Sequence, residues 1–184
     1  MSLKRNILSF LFITAFVFCF CAAVDPLDAG KNASMHNNIA IKYLKENNYV
    51  GAIKEFQIAI DLNPNHQVTA TYYYNLGMLY VRLKKYKDAK DCFENSIRLN
   101  PLYFKYYIDT VKMYKELNIL DSELTKYLAK QENPLSDLYI GLIYIEQGRR
   151  SAGITTLDNF CEKEPHLLVT AGVKNYLKET RRKK

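Results

Sequence analysis

Five side chains in the body of this 184-residue chain are of the types that attack carbonyls, undergo oxidation or bind metals: Cys92, Cys161, His36, His66 and His166. A reactive cysteine needs a neighbouring base or a field that favours the thiolate. Neither Cys92 nor Cys161 has such a partner in its segment, and their spacing is not that of a zinc site. The histidines are far apart in sequence, and there is no glycine-rich phosphate loop and no His-Glu-x-x-His. No enzyme, cofactor or metal is therefore expected, and both cysteines are expected to be small buried hydrophobes. What remains is the chemistry of recognition. The chain has 15 tyrosines, and this side chain offers contact area and a hydrogen bond at low entropic cost.

The elements that must position these residues are read from composition and periodicity. At 48% hydrophobic and 24% charged, with only 7 Gly and 5 Pro, the chain has the material for a packed core and excludes collagen-like or largely disordered classes. The net charge of +7 lies at the ends. Lys4 and Arg5 open the chain, residues 174–184 contribute +5, and residues 24–173 balance to zero. Lys4 and Arg5 precede an apolar run from Ile7 to Val24, the layout of a secretory signal. Residues 1–23 are expected to be a signal cleaved after Ala23. The alternatives are an uncleaved anchor and, less favoured because Phe18 and Phe20 are bulky, a lipoprotein built on Cys19 or Cys21. The body is expected outside the cytoplasm, periplasmic or membrane-associated.

Internal similarity organises the rest. Asn-Leu-Gly-Met-Leu-Tyr (75–80) aligns with Asn-Ile-Ala-Ile-Lys-Tyr (38–43), and Ala52, Phe56, Ala59 and Pro64 then meet Ala89, Phe93, Ser96 and Pro101 without gaps. A third copy opens with Tyr-Ile-Gly-Leu-Ile-Tyr (139–144) and continues through Gly153, Leu157, Phe160 and Pro165. Between them lies a degenerate copy with Tyr107, Thr110, Val111, Tyr114, Tyr127 and Pro134. The pattern resembles the tetratricopeptide repeat, whose signature is W-x2-L-G-x2-Y, A-x3-F and P over 34 residues. This chain departs from it in having no Trp, with His36 or Tyr73 in its place, and in a longer first spacer at Asn65–Thr69.

The resemblance implies an all-α α-solenoid of about four helix-turn-helix units with a carboxy-terminal capping helix. Its units are 33–66, 70–103, 104–133 and 134–167, preceded by a linker at 24–32 and followed by a basic capping helix at 168–184. Small residues (Ala40, Gly77, Gly141, Ala52, Ala89) let paired helices approach, and prolines follow the last turns. This register sets Cys92 and Cys161 two units apart, too far for a disulfide. Eight tyrosines (Tyr43, Tyr49, Tyr73, Tyr80, Tyr86, Tyr107, Tyr114, Tyr144) take packing positions, leaving Tyr72, Tyr74, Tyr103, Tyr106 and Tyr139 as a surplus.

In this family the first helix of each unit lines a concave face. The resemblance therefore makes Asn37, Ile41, Tyr74, Asn75, Met78, Arg82, Lys105, Lys112, Leu138, Tyr139 and Leu142 the candidate partner-binding residues. The ligand expected there is a peptide or partner protein. Family members that bind chaperones clamp a carboxy-terminal carboxylate. Here the five clamp positions fall on Asn37, Ile41, Asn75, Lys105 and Asp109, where Ile41 cannot hydrogen-bond and Asp109 repels a carboxylate, so no such clamp is expected. The basic tail is read as a solvated helix end, with attraction to an anionic membrane surface as its functional alternative. Nucleic acid is an unlikely partner for an exported chain with a neutral body. The leading expectation is an exported or membrane-tethered adaptor or assembly factor of an envelope complex. A self-associating structural protein and a cytoplasmic-side chaperone-like module on a membrane anchor are the alternatives.

Overall fold

Residues 26–130 and 132–182 are described by a computed structural model of the chain. The amino-terminal apolar run, with Cys19 and Cys21, lies outside the described residues. The described residues form nine helices: α1 (Pro26–Lys45), α2 (Tyr49–Leu62), α3 (Thr69–Arg82), α4 (Tyr86–Leu99), α5 (Phe104–Glu116), α6 (Leu120–Leu128), α7 (Ser136–Glu146), α8 (Arg150–Lys163) and α9 (Leu168–Arg182). None of them is long and apolar enough to cross a membrane.

The stretch 24–32, expected as a linker, is helical from Pro26 onward. Proline suits the first helical position, where its missing N–H is not needed, and Asp28 in the first turn complements the helix dipole. α1 therefore extends beyond the repeat proper.

Three pairs pack as close antiparallel hairpins: α1 with α2, α3 with α4, and α7 with α8. Small residues explain the closeness. A Cβ on Gly77 would stand 2.6 Å from the Phe93 ring, and one on Gly141 would stand 2.6 Å from Leu157. Gly153 is tighter still, since its Cβ would stand 2.5 Å from Cγ1 of Ile145 and 2.7 Å from the Gly141 carbonyl oxygen. Ala40 and Ala52 are fully buried in the first hairpin.

The third unit breaks this rule. Counting back from the turn, Val111 and Glu123 occupy the places that hold Ala40 and Ala52, Gly77 and Ala89, or Gly141 and Gly153 in the other units. Their bulk keeps α5 and α6 apart. α6 packs mainly on α7, and α5 packs on α4, α7 and α9. α9 in turn packs on α8 and back on α5, so α5, α7, α8 and α9 close into a ring. Gly172 permits that closure, because a Cβ there would stand 2.6 Å from the Cβ of Phe104.

The turns repeat their chemistry more faithfully than their letters. Asn47, Lys84, Asn118 and Gly148 all have positive φ, at 58°, 58°, 56° and 81°. In each unit the following N–H reaches back to the carbonyl of the repeat tyrosine: Asn48 to Tyr43, Lys85 to Tyr80, Ile119 to Tyr114 and Arg149 to Tyr144, at 2.8–2.9 Å. This is the Schellman end, which satisfies carbonyls the helix leaves open. The inter-unit loops are pinned by hydroxyls. Thr69, Tyr107, Ser136 and Thr170 donate to the carbonyls of Asn63, Pro101, Lys130 and Glu164, each six residues earlier.

Two substitutions of opposite sign test this account. Lys84→Gly removes a side chain from the left-handed region and is expected to stabilise the fold by roughly 0.5 kcal/mol. Gly153→Ala presses a methyl onto a backbone oxygen and is expected to cost about 1–3 kcal/mol. Urea unfolding of the two variants beside the parent reads both.

Candidate functional site

α1, α3 and α5 lie side by side, and their facing side chains join across the helices. Asn75 Nδ2 donates to Asn37 Oδ1 at 3.1 Å, linking α3 to α1. Tyr74 donates its hydroxyl to Asp109 Oδ2 at 2.9 Å, linking α3 to α5. Asp109 is buried and is also held by Lys105 Nζ at 2.6 Å and Lys112 Nζ at 3.5 Å. Its carboxylate is therefore enclosed by donors, and the two exposed ammonium groups leave this part of the face with one positive charge in excess.

The titration of the cluster follows from its packing. Burial pushes the Tyr74 hydroxyl above the ordinary tyrosine range; the Lys105 bond pulls it down and Asp109 raises it again. For Lys105, burial disfavours the charge, but the bonds to Asp109 and Tyr74 outweigh it and hold the ammonium above the ordinary lysine range. Lys105 Nζ also stands 5.5 Å from the centre of the Tyr74 ring. Tyr74 itself packs between Phe93 and Tyr106, with ring centroids at 5.6 and 5.0 Å. An exposed Met78 and a half-buried Ile41 complete the strip with apolar surface.

The structure brings six of the eleven expected contact residues onto this strip, Ile41, Tyr74, Asn75, Met78, Lys105 and Lys112, with Asn37 buried beneath it as the partner of Asn75. Arg82 sits at its edge and is engaged elsewhere, with its guanidinium 4.9 Å from the Tyr49 ring centre and bonded to Asn47 Oδ1. It ties the first turn to α3. Leu138, Tyr139 and Leu142 are corrections. All three are buried, Leu138 completely, in one cluster with Phe104 and Val111 of α5 and Val169, Val173 and Leu177 of α9. The reason is the ring. α7 is apolar on every side, and such a helix must be enclosed. Tyr139 stacks on Tyr127, with centroids 4.2 Å apart and planes 8° apart. Of the surplus tyrosines, Tyr72 and Tyr106 are likewise buried, whereas Tyr103 is exposed.

The polar residues at the positions that hold a carboxylate clamp in chaperone-binding relatives are engaged with one another in this chain. Asn37 and Asn75 satisfy each other, and Lys105 and Asp109 are paired. The pinning hydroxyls of Thr69, Ser136 and Thr170 leave a signal in the sequence, a Ser or Thr at the opening of the helix that follows the loop.

Cys92 and Cys161 are unpaired and buried, in separate clusters. Burial, with Asp91 and Asp88 adding to it, pushes the Cys92 thiol up to about 12. Burial also raises the Cys161 thiol. His36 Nδ1 lies 2.5 Å from Glu55 Oε2 and ties α1 to α2. Among the described residues, no three His, Cys, Asp or Glu side chains gather as a metal site.

Residues 32–101 match the family described as Tetratricopeptide repeat. No protein of curated function matches the chain. Among solved structures, a tetratricopeptide repeat protein from Parabacteroides merdae is similar at 16% identity and a TM-score of 0.51, over 83% of this chain and 61% of its own length. MamA is similar at 22% identity and a TM-score of 0.48, over 73% of this chain and 79% of that one. The first repeat domain of Spaghetti (RPAP3), bound to the HSP90 peptide SRMEEVD, has 19% identity and a TM-score of 0.46, over 83% and 93%. The likeness to the Parabacteroides protein is one of fold: an all-α helical repeat.

Two measurements test these assignments. Leu142→Ala is expected to destabilise by about 2–5 kcal/mol as a core truncation, whereas Met78→Ala stays within about 0.5 kcal/mol; denaturant midpoints compare them. Cys92 is expected to resist alkylation at pH 8 in the folded protein and to react fully in urea, read by intact mass.

Proposed function

We propose that this chain of tetratricopeptide repeats is an exported or membrane-tethered scaffold. It holds a peptide or a segment of a partner protein against the strip built by α1, α3 and α5. In that role it serves as an adaptor or assembly factor in an envelope complex. The observation that carries the reading is the strip itself. It alternates apolar area (Ile41, Met78, the face of Tyr74) with polar groups held in place by buried partners (Asn75 on Asn37, and Lys105 and Lys112 on Asp109). An extended or helical segment finds there both contact area and bonding groups to set its register. The positive excess favours a segment with at least one acidic side chain. Closure of the ring removes α7 from the available surface, so recognition is confined to the first three units.

Export is supported by the sequence of the first 24 residues, where two basic residues precede the apolar run. The neutral body fits a protein whose affinity comes from local groups, without a strong overall field.

Affinity purification from the native envelope fraction tests the proposal. Tyr74→Ala and Lys112→Glu are each expected to lower partner recovery by about tenfold, roughly 1.4 kcal/mol of binding, with an unchanged helical spectrum. An unaltered set of co-purifying proteins in the doubly substituted, folded protein would sink the groove assignment.

A further inference from the structure

The antiparallel order of the hairpins gives the molecule two unlike edges. All turns within hairpins lie on one, and all loops between units lie on the other. The start of α1 belongs to the inter-unit edge: Gly30, Lys31 and Ser34 line a cleft of about 630 Å³ with Asn63, His66 and Val68 of the α2–α3 loop. The start of α9 belongs there too, since Gly172 lies against Phe104 at the start of α5. That contact brings Leu167 and Leu168 towards Leu102 and Tyr103.

Exposed apolar side chains concentrate on this edge. Of the large hydrophobic residues exposed among the described residues, Val68, Leu102, Tyr103, Leu128, Leu167 and Leu168 all lie at inter-unit loops, and Leu168 is 70% exposed. Only Val50 lies on the turn edge. The turn edge carries Lys84, Lys85 and Arg149, whereas the inter-unit loops carry Lys130 balanced by Glu132 and Glu164. It also receives the basic end of α9, where Arg150 donates to the Thr180 carbonyl and Arg181 pairs with Asp158.

Exposed apolar side chains gathered along one edge mark an interaction surface, and the position of α1 says which. The apolar run ends at Val24, two residues before α1 begins at Pro26. The described chain therefore begins on the edge that carries these side chains. We infer that the inter-unit edge rests on a lipid bilayer, with Leu102, Tyr103, Leu167 and Leu168 at headgroup depth on the same edge as the start of α1. Tyrosine favours that depth, and Asn65, His66 and His166 in the same loops can bond headgroups. This inference rests on the membrane-tethered part of the proposed function and is independent of the groove. It sets the basic tail on the far side, since the 15 residues of α9 span about 22 Å.

The chain contains no tryptophan, so single introduced tryptophans report without background. Leu102→Trp, Leu168→Trp and Val50→Trp are placed separately in the full chain, reconstituted into phosphatidylcholine vesicles with and without brominated acyl chains. Tyr103→Trp, at a position already aromatic, serves if a leucine variant misfolds. The expected result is a blue shift and loss of at least about half the emission to bromine at 102, 103 and 168, with position 50 unchanged. Solvent-like emission at the three edge positions overturns the inference, as does preferential quenching at position 50. A blue shift at 168 that grows with protein concentration in lipid-free detergent solution assigns the patch to a second copy and also overturns it. Partner recovery with Tyr74→Ala is read separately, so the groove and the edge can fail independently.

Discussion

Helix separation at the hairpin crossings governs this structure. Where both crossing residues are small, as with Gly77 and Ala89 or Gly141 and Gly153, two helices pack backbone to backbone and bury an aromatic or leucine beneath. Where they are Val111 and Glu123, the helices part. One unit out of four with bulky crossing residues is enough to change the architecture of half the molecule. Freed from α6, α5 is available to α9, and a stack becomes a ring. Tyr114, Tyr127 and Tyr139 occupy the space so opened, the first two joined through their hydroxyls at 3.3 Å.

The ring decides which residues recognise and which merely pack. The first-helix position that reaches the surface as Ile41, Met78 and Lys112 in α1, α3 and α5 is sealed in α7, where it is Leu142. Asp109 illustrates the transition. It sits on a helix that belongs to both halves, and its buried carboxylate is tolerated because Tyr74, Lys105 and Lys112 surround it with donors. Position in a repeat assigns a residue to a face; the neighbouring units decide whether that face meets solvent.

This difference sets what was legible in the sequence. Unit boundaries, crossing residues and closing prolines are local and short-range, so the spacing of Ala52, Phe56 and Pro64 against Ala89, Phe93 and Pro101 was sufficient to read them. The strip on α1, α3 and α5 followed from the same register. The burial of Leu138, Tyr139 and Leu142 did not, because it depends on contacts that no repeat pattern encodes: Tyr139 against Tyr107 of α5 and Tyr127 of α6, and α9 folding back on α5 at Gly172 and Phe104. A hint was present: α7 is apolar on all faces, which an open groove would not permit. The recurrent left-handed turn residue was hidden for another reason, since Asn47, Lys84, Asn118 and Gly148 share a conformation and no side-chain type.

The interior is divided as well, along the boundary between α4 and α5. One buried cluster gathers Ala40, Phe56, Leu76 and Leu79 in the first two hairpins, and another gathers Tyr107, Leu142, Phe160 and Val173 in the ring. Between them runs a thin seam of Ala89, Phe93 and Met113, with Tyr74 at its border. Two cores joined by a seam respond to denaturant as two coupled blocks, each with its own opening free energy. A segment seated on both α3 and α5 bridges the blocks from outside. Its binding energy adds directly to their coupling, so occupancy of the strip makes the whole array unfold more nearly as one body.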